Sequence, residues 1–312
     1  MSVNAKQILT APFSSLDETF QKAREMSWKY HGKKIVGYYP GESFPSVSIT
    51  GKKCSQNCQY CDGYYLQHMY PATTPTVLEQ FALKLARKGG QGLLISGGYT
   101  QEGIVPLEPF LPTIGTIKEK TDLTINAHVG LVNKDQAKKI AETGIDFVSY
   151  DLITDEQVIS EILQSDKTGE DYLASYQALV DAKIDVIPHI CLGLYYGTIK
   201  GNIEAIKAAI DYSPRLIVFL GLIPTKHSPM ANSPTISPEL VAKILLWTRF
   251  VSPEIEQSLG CMRVRTKQIE ELAIKAGINR IAVPKKSTLS FALKTYQLSF
   301  QQMHACCASP IK

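Results

Sequence analysis

From about residue 45 onward, short apolar runs alternate with longer stretches of helical periodicity. The runs have the length of strands buried on both faces. They read as strands at 47–53, 92–96, 123–128, 146–152, 185–192, 216–223, 254–262 and 280–283. Helical patterns fill the gaps, at 133–144, 170–183, 202–212, 238–250 and 266–277. An earlier one opens with a capping box, Thr76-Val77-Leu78-Glu79. Val77, Phe81 and Leu85 follow at four-residue steps, and Gly89-Gly90 stops that helix. Eight strands alternating with helices predict a parallel sheet with right-handed crossovers. The predicted fold class is therefore α/β, a (β/α)8 TIM-type barrel spanning residues 45–295. An open doubly wound sheet is the alternative. Residues 1–44 are expected to form a helical N-terminal extension, and residues 296–312 a cysteine-containing tail.

In such a barrel the active site lies at the C-terminal ends of the strands. Strand period two puts Asn126 with His128, Ser149 with Asp151, His189 with Cys191 and Cys261 with Arg263. A barrel filled only for packing would carry Val, Ile and Leu there. Polar residues on these faces imply a cavity for a ligand or cofactor. Asp151, Asn126 and His128 are candidates to orient it. Arg263 is a candidate catalytic residue, because a cation facing a cavity needs a partner.

Composition narrows the class. The 312 residues are 44% hydrophobic and 20% charged, an ordinary globular balance. Lys plus Arg is 33 and Asp plus Glu is 29, a net charge of +4. That balance argues against a dedicated nucleic-acid surface. The start of the chain is mixed and polar, unlike a signal peptide. The longest apolar run, 216–224, is far short of the ~20 residues that span a bilayer. These features predict a cytoplasmic protein with neither a nucleic-acid nor a membrane partner. Seven cysteines is an odd count, which in a reducing compartment hints at metal or catalysis rather than disulfides.

Three of the seven form C-x3-C-x2-C directly after the first expected strand: Cys54, Cys58 and Cys61. Three thiolates on one loop can hold three irons of a cubane and leave the fourth open. The spacing, Tyr60 before the third cysteine, and the position after the first barrel strand resemble the radical S-adenosylmethionine (SAM) superfamily. The resemblance implies a [4Fe-4S] cluster on Cys54, Cys58 and Cys61. It also implies SAM chelated to the open iron and cleaved reductively to a 5′-deoxyadenosyl radical. Ser96-Gly97-Gly98 resembles the family's Gly-Gly-Glu turn, which contacts the SAM amino group. Here Tyr99 stands in place of Glu, so only Gly97 and Gly98 carry over. The segments 192–194 and 223–225 resemble further family contact regions. An alternative is zinc, with His68 completing a Cys3His site in a non-enzymatic protein.

Eight βα units resemble biotin synthase and its relatives, from about residue 45 to 290. Biotin synthase holds an auxiliary cluster on three Cys and one Arg. Cys191 and Arg263 match two of those positions, and Ser96 and Asn126 stand near the other two. Cys261, Cys306 and Cys307 supply further thiols, and with Cys191 they suffice for a second cluster. Adjacent cysteines rarely both ligate one cluster, so one of the tail pair is expected to stand aside. The stretch 61–65, the 189–194 strand end, Cys261-Met262-Arg263 and the Cys-Cys tail together resemble the two-component lipoyl synthases. That implies sulfur insertion into an unactivated C–H bond. The implied partners are an octanoylated carrier protein, a sister radical SAM subunit and an electron donor such as ferredoxin or flavodoxin. The competing reading is a single-cluster enzyme doing rearrangement, lyase or methyl chemistry on a small molecule, with Cys191 and Cys261 as packing residues.

Overall fold

The computed structural model describes residues 4–311. The first three residues of the expected extension and the last residue of the expected tail lie outside them. The chain divides into two compact units. One comprises Met1–Tyr39, Ile190–Ile223 and Ser233–Met303; the other comprises Pro40–His189, Pro224–Asn232 and His304–Lys312.

The strands among the described residues are β1 (Lys34–Tyr38), β2 (Ser46–Ser48), β3 (Tyr70–Pro71), β4 (Gly92–Ser96), β5 (Thr124–Ala127) and β6 (Phe147–Asp151). They continue with β7 (Val186–Leu192), β8 (Leu216–Gly221), β9 (Glu256–Leu259), β10 (Arg280–Ala282) and β11 (Ser299–Met303). The helices are α1 (Ala5–Thr10), α2 (Asp17–His31), α3 (Pro75–Arg87), α4 (Leu111–Lys120) and α5 (Lys134–Ala141). After them come α6 (Gly169–Asp181), α7 (Asn202–Asp211), α8 (Pro238–Val251), α9 (Lys267–Lys275) and α10 (Lys286–Tyr296). From β2 to α10 the order is the expected α/β, TIM-type alternation of strand and helix. Every one of the eight expected strands is present, β4 at its expected bounds and the other seven shortened.

In the unit holding residues 40–189, parallel pairing runs β3-β2-β4-β5-β6-β7. β4, β5 and β6 are buried or nearly so along their length, as strands covered on both faces must be. The helices that follow β5 and β6 start at side-chain caps. Asn133 and Gln136 form a capping box at α5, and Thr168 and Asp171 form one at α6. The box expected at Thr76 is not the start of α3. Thr74 is the N-cap, its hydroxyl accepting from the Val77 N–H at 3.3 Å. Pro75, with its preset φ, begins the helix earlier than the sequence pattern predicts. Gly89 ends it at a positive φ, as expected.

In the other unit the parallel order is β11-β1-β10-β9-β8. Two of these strands, β1 and β11, lie where a helical extension and a tail are expected. They pair over five residues, from Lys34 with Ser299 to Tyr38 with Met303. Gly37 permits it: a Cβ there would come within 2.8 Å of the Phe300 ring.

Candidate functional site

The three motif cysteines sit in the loop between β2 and β3, which turns repeatedly on its own backbone. The Cys61 and Asp62 N–H groups donate to the Cys58 carbonyl, and Tyr64 N–H to the Cys61 carbonyl. Neighbouring elements hold this loop from several sides. Gln59 N–H donates to the Ile162 carbonyl, and the Thr225 hydroxyl donates to the Tyr60 carbonyl at 2.9 Å. Ser55 N–H donates to the Tyr99 carbonyl, and in return Tyr99 N–H points at Cys54 Sγ at 3.3 Å.

The Ser96-Gly97-Gly98 turn after β4 lies against this loop. A Cβ on Gly98 would fall 2.0 Å from the Lys53 carbonyl oxygen and 2.6 Å from Cys54 Cα. Only glycine permits that approach. Gly98 N–H also donates to the Thr50 hydroxyl at 2.7 Å. Gly97 is also crowded: a Cβ there would meet Thr50 and Ile49 at 3.1–3.2 Å.

All three thiols are half-buried. Burial, and the neighbouring Cys61 and Cys54, push the Cys58 thiol up to about 12. Burial likewise raises Cys61, against backbone donors that lower it. Iron would offset both penalties, because a bound cation favours the thiolate. The donor set, the loop fold and the N–H aimed at sulfur therefore fit a cluster on Cys54, Cys58 and Cys61. Zinc fits less well. Among the described residues no three His, Cys, Asp or Glu side chains gather as they would around one metal ion. His68 stacks edge-on against Tyr64, with ring centroids 5.0 Å apart.

Beside Cys58 lies a cleft of about 50 Å³ lined by Gln56, Tyr60, Tyr99, Gly130, Ser149, Asp151, Leu163 and Tyr172, among others. Burial raises the Tyr60, Tyr99 and Tyr172 phenols, so each stays a neutral hydrogen-bonding group at physiological pH. Tyr60 and Asp151 are thus brought to one cleft with Cys58. Gln56, Tyr99 and Tyr172 were missed by sequence reasoning. Tyr99 had a signal, since it directly follows the glycine turn.

The strand ends of the same unit carry a polar ladder. Asn126 is fully buried, and its amide is gripped twice by Ser149: Nδ2 donates to the hydroxyl at 2.8 Å, and Oδ1 accepts from the N–H at 3.1 Å. Tyr150 takes the opposite face, its hydroxyl donating to the Tyr172 carbonyl of α6. His128 Nδ1 is 3.2 Å from the Ser96 hydroxyl. His128 and His189 meet edge to face with centroids 6.2 Å apart. Burial lowers both histidines, His189 to about 4 despite the opposing charge of Asp151. Both are neutral at pH 7. From the tail of this unit, Cys306 Sγ comes within 3.9 Å of Asn126 Nδ2. Cys307 is buried.

In the other unit, Cys191 is half-buried at the end of β7, and Cys261 is exposed just after β9. Arg263 does share that region, but its charge is already met. Its guanidinium donates to Glu270 at 2.7 Å and to the Gly260 and Ala282 carbonyls at 2.5 and 3.0 Å. Both side chains of the ion pair are essentially inaccessible. Glu270 also accepts from Lys285 N–H and the Thr288 hydroxyl. This environment is that of a buried ion pair, which supplies the partner that the sequence predicts the cation to need.

No helix among the described residues is long and apolar enough to cross a membrane. Comparison with known proteins gives the rest. The family profile described as Radical SAM superfamily matches residues 48–213, just over half of the chain. The biotin synthase of Pelotomaculum thermopropionicum is 22% identical over 282 residues, covering 88% of this chain and 85% of that one. The biotin synthase of Bacillus cytotoxicus is 24% identical over 283 residues, covering 88% and 81%. Among solved structures, methylornithine synthase matches with a TM-score of 0.67 at 17% identity, covering 89% of this chain and 81% of that one. HydG, a maturase of the [FeFe]-hydrogenase, matches at 0.71 and 19% identity, covering 95% and 71%. At these identities the structures speak for the fold alone. The profile, spanning the cysteine loop and five of the eight strands, shows that the chain belongs to the radical SAM superfamily, whose enzymes work with a [4Fe-4S] cluster and SAM.

Proposed function

We propose that this radical SAM enzyme inserts sulfur into an unactivated C–H bond, in the manner of lipoyl and biotin synthases. The observation that carries the reading is a tail thiol, Cys306, held against the buried Asn126 amide on the strand face of the first-cluster unit. A thiol outside the SAM-cluster loop but beside the polar strand ends is what a second, sulfur-supplying cluster requires. The curated biotin synthase relatives support the same class.

Cofactor and SAM together supply a radical strong enough to open a C–H bond, a task beyond any side chain. The chain's own groups bind and orient. Cys54, Cys58 and Cys61 hold the first cluster, with Gly98 letting the β4 turn close on the loop. Tyr99 N–H supports Cys54 Sγ. Tyr60 and Asp151, facing the cleft beside Cys58, orient SAM, with Asp151 accepting from hydroxyl groups. Asn126 and His128 line the adjoining strand face. The substrate is an acyl chain carried on a partner protein, electrons come from a ferredoxin or flavodoxin, and a sister radical SAM subunit completes lipoyl formation.

A single-cluster reading has one observation in its favour. Arg263, at a position matching a biotin synthase cluster ligand, is committed to Glu270. The test is anaerobic reconstitution, iron and sulfide counting, then turnover with SAM, dithionite and an octanoyl-lysine peptide. About eight irons per chain and a thiolated peptide are expected. About four irons, with 5′-deoxyadenosine formed and no sulfur in the peptide, would overturn sulfur insertion and leave SAM cleavage standing.

A further inference from the structure

The glycine turn after β4 and the cysteine loop after β2 press together at Gly98, and one hydroxyl bridges the contact. A Cβ on Gly98 would fall 2.0 Å from the Lys53 carbonyl oxygen. Thr50 Oγ1 touches both sides of this gap. It accepts from Gly98 N–H at 2.7 Å and donates to the Lys53 carbonyl at 2.8 Å. Both bonds form at once, because a hydroxyl has one proton to give and lone pairs to receive. The Thr50 methyl faces the same turn, where a Cβ on Gly97 would meet it at 3.1 Å.

Thr50 is itself held in place. Before it, Ile49 N–H donates to the Ser96 carbonyl at 2.8 Å. After it, the Ser48 hydroxyl donates to the Gly51 carbonyl at 2.6 Å, and Lys53 N–H donates to the Thr50 carbonyl at 3.2 Å. The residue that follows the bridged glycine is Tyr99. Its N–H points at Cys54 Sγ at 3.3 Å, and its carbonyl accepts from Ser55 N–H at 2.8 Å. That N–H is a backbone group one residue from Gly98, so its distance to the sulfur follows the gap that Thr50 spans. An N–H on a ligand sulfur favours the more negative oxidation state, and so raises the potential at which a cluster takes up an electron.

We propose that Thr50 is a positioning residue for the first cluster: its hydroxyl fixes the gap between turn and loop, and so holds the Tyr99 N–H on Cys54 Sγ and raises the reduction potential of the cluster. Thr50 acts through Gly98 and Tyr99 rather than on the cluster itself. The inference uses the SAM-binding cluster alone and is independent of sulfur insertion. The test is a redox titration of the anaerobically reconstituted full chain, with dithionite as electron donor and electron paramagnetic resonance as readout. The first-cluster signal is the one missing from Cys54→Ala. Thr50→Val keeps the shape and the methyl but removes the bridge, and the midpoint potential is expected to shift to more negative values. Thr50→Ser keeps the hydroxyl and is expected to titrate like the wild type. Replacing Tyr99 by its α-hydroxy acid analogue turns the N–H into an ester oxygen and leaves the side chain unchanged. This chain is expected to shift in the same direction, and adding Thr50→Val should move it little further, as for two changes acting on one bond. Circular dichroism and iron content identify a variant that fails to fold or to fill, and Thr50→Ala then replaces the valine. A wild-type potential in Thr50→Val, or in the ester chain, overturns the proposal. So does an equal shift in Thr50→Ser, or valine and ester shifts that simply add.

Discussion

Each of the two units buries a set of polar side chains, and the two sets are finished differently. In the unit holding β8 to β11, the buried Arg249 and Arg263 are met by protein groups. Arg249, fully buried, donates to His31, to the Pro253, Ile255 and Gly277 carbonyls and to Asn279. Arg263 and Glu270 are closed in the same way. In the unit holding β2 to β6, the strand ends present Asn126, His128, Asp151 and His189 beside a cleft and three half-buried thiols. A closed network is an architecture, since removing a member strands its partner. An open one is a site, because its remaining donors and acceptors suit something the chain does not itself contain.

The comparison breaks most visibly at the cysteine loop. Replacing any of Cys54, Cys58 or Cys61 with Ala is expected to cut 5′-deoxyadenosine formation by several orders of magnitude, because the cofactor carries the chemistry. Thermal melting of the variants should change far less. Unaltered SAM cleavage in all three would show that the loop is not the cofactor site. Gly98→Val is expected to come next. Its side chain would displace Lys53 or Cys54, so iron bound by the first cluster should fall, with SAM cleavage down ~10–100-fold as for lost supporting contacts. Gly63 lies in the same loop, and a Cβ there would meet nothing within 4 Å, so Gly63→Ala should cost only about 1 kcal/mol of backbone strain.

Arg263→Met sharpens the contrast from the other side. Stranding Glu270 in a buried position should cost about 3–5 kcal/mol, read as a lowered urea midpoint. The double variant Arg263→Met/Glu270→Leu should recover most of that loss, and iron content should hold in both. Iron lost from the single variant at an unchanged urea midpoint would make Arg263 a ligand and erase the distinction between the units.

How much of this was legible in the sequence follows the same division. Apolar runs such as Leu93-Leu94-Ile95 announced the eight strands, since burial on both faces leaves that pattern. β1 and β11 did not announce themselves. Lys34-Ile35-Val36-Gly37-Tyr38 carries a glycine and a charge, and Ser299-Phe300-Gln301-Gln302-Met303 is largely polar, so neither reads as buried strand. Their pairing is long-range, made by register with each other and with β10. The cysteine loop was legible because its chemistry demands a fixed local spacing. The partner of Arg263, Glu270, was not legible because it lies on the next helix, and strand periodicity tells nothing of it. Tyr172 in the cleft was invisible for the same reason, arriving from α6.

The smallest expected effect is a pH dependence in the closed network. Burial, with the Arg249 charge beside it, holds the His31 imidazole below its ordinary value in the folded protein. The unfolded chain therefore takes up this proton first as pH falls through ~6.5. Stability from His31 is fully present above that pH and declines below it, toward the lower folded value. His128 and His189 shift in the same direction in the other unit, so they add to the acid sensitivity of the whole chain. His31→Gln removes only the first share. Urea midpoints measured at about pH 7.5 and about pH 5.5 should differ less for this variant than for the wild type. An equal or larger difference would mean that His31 does not titrate with folding, and that the acid sensitivity belongs to the open strand ends alone.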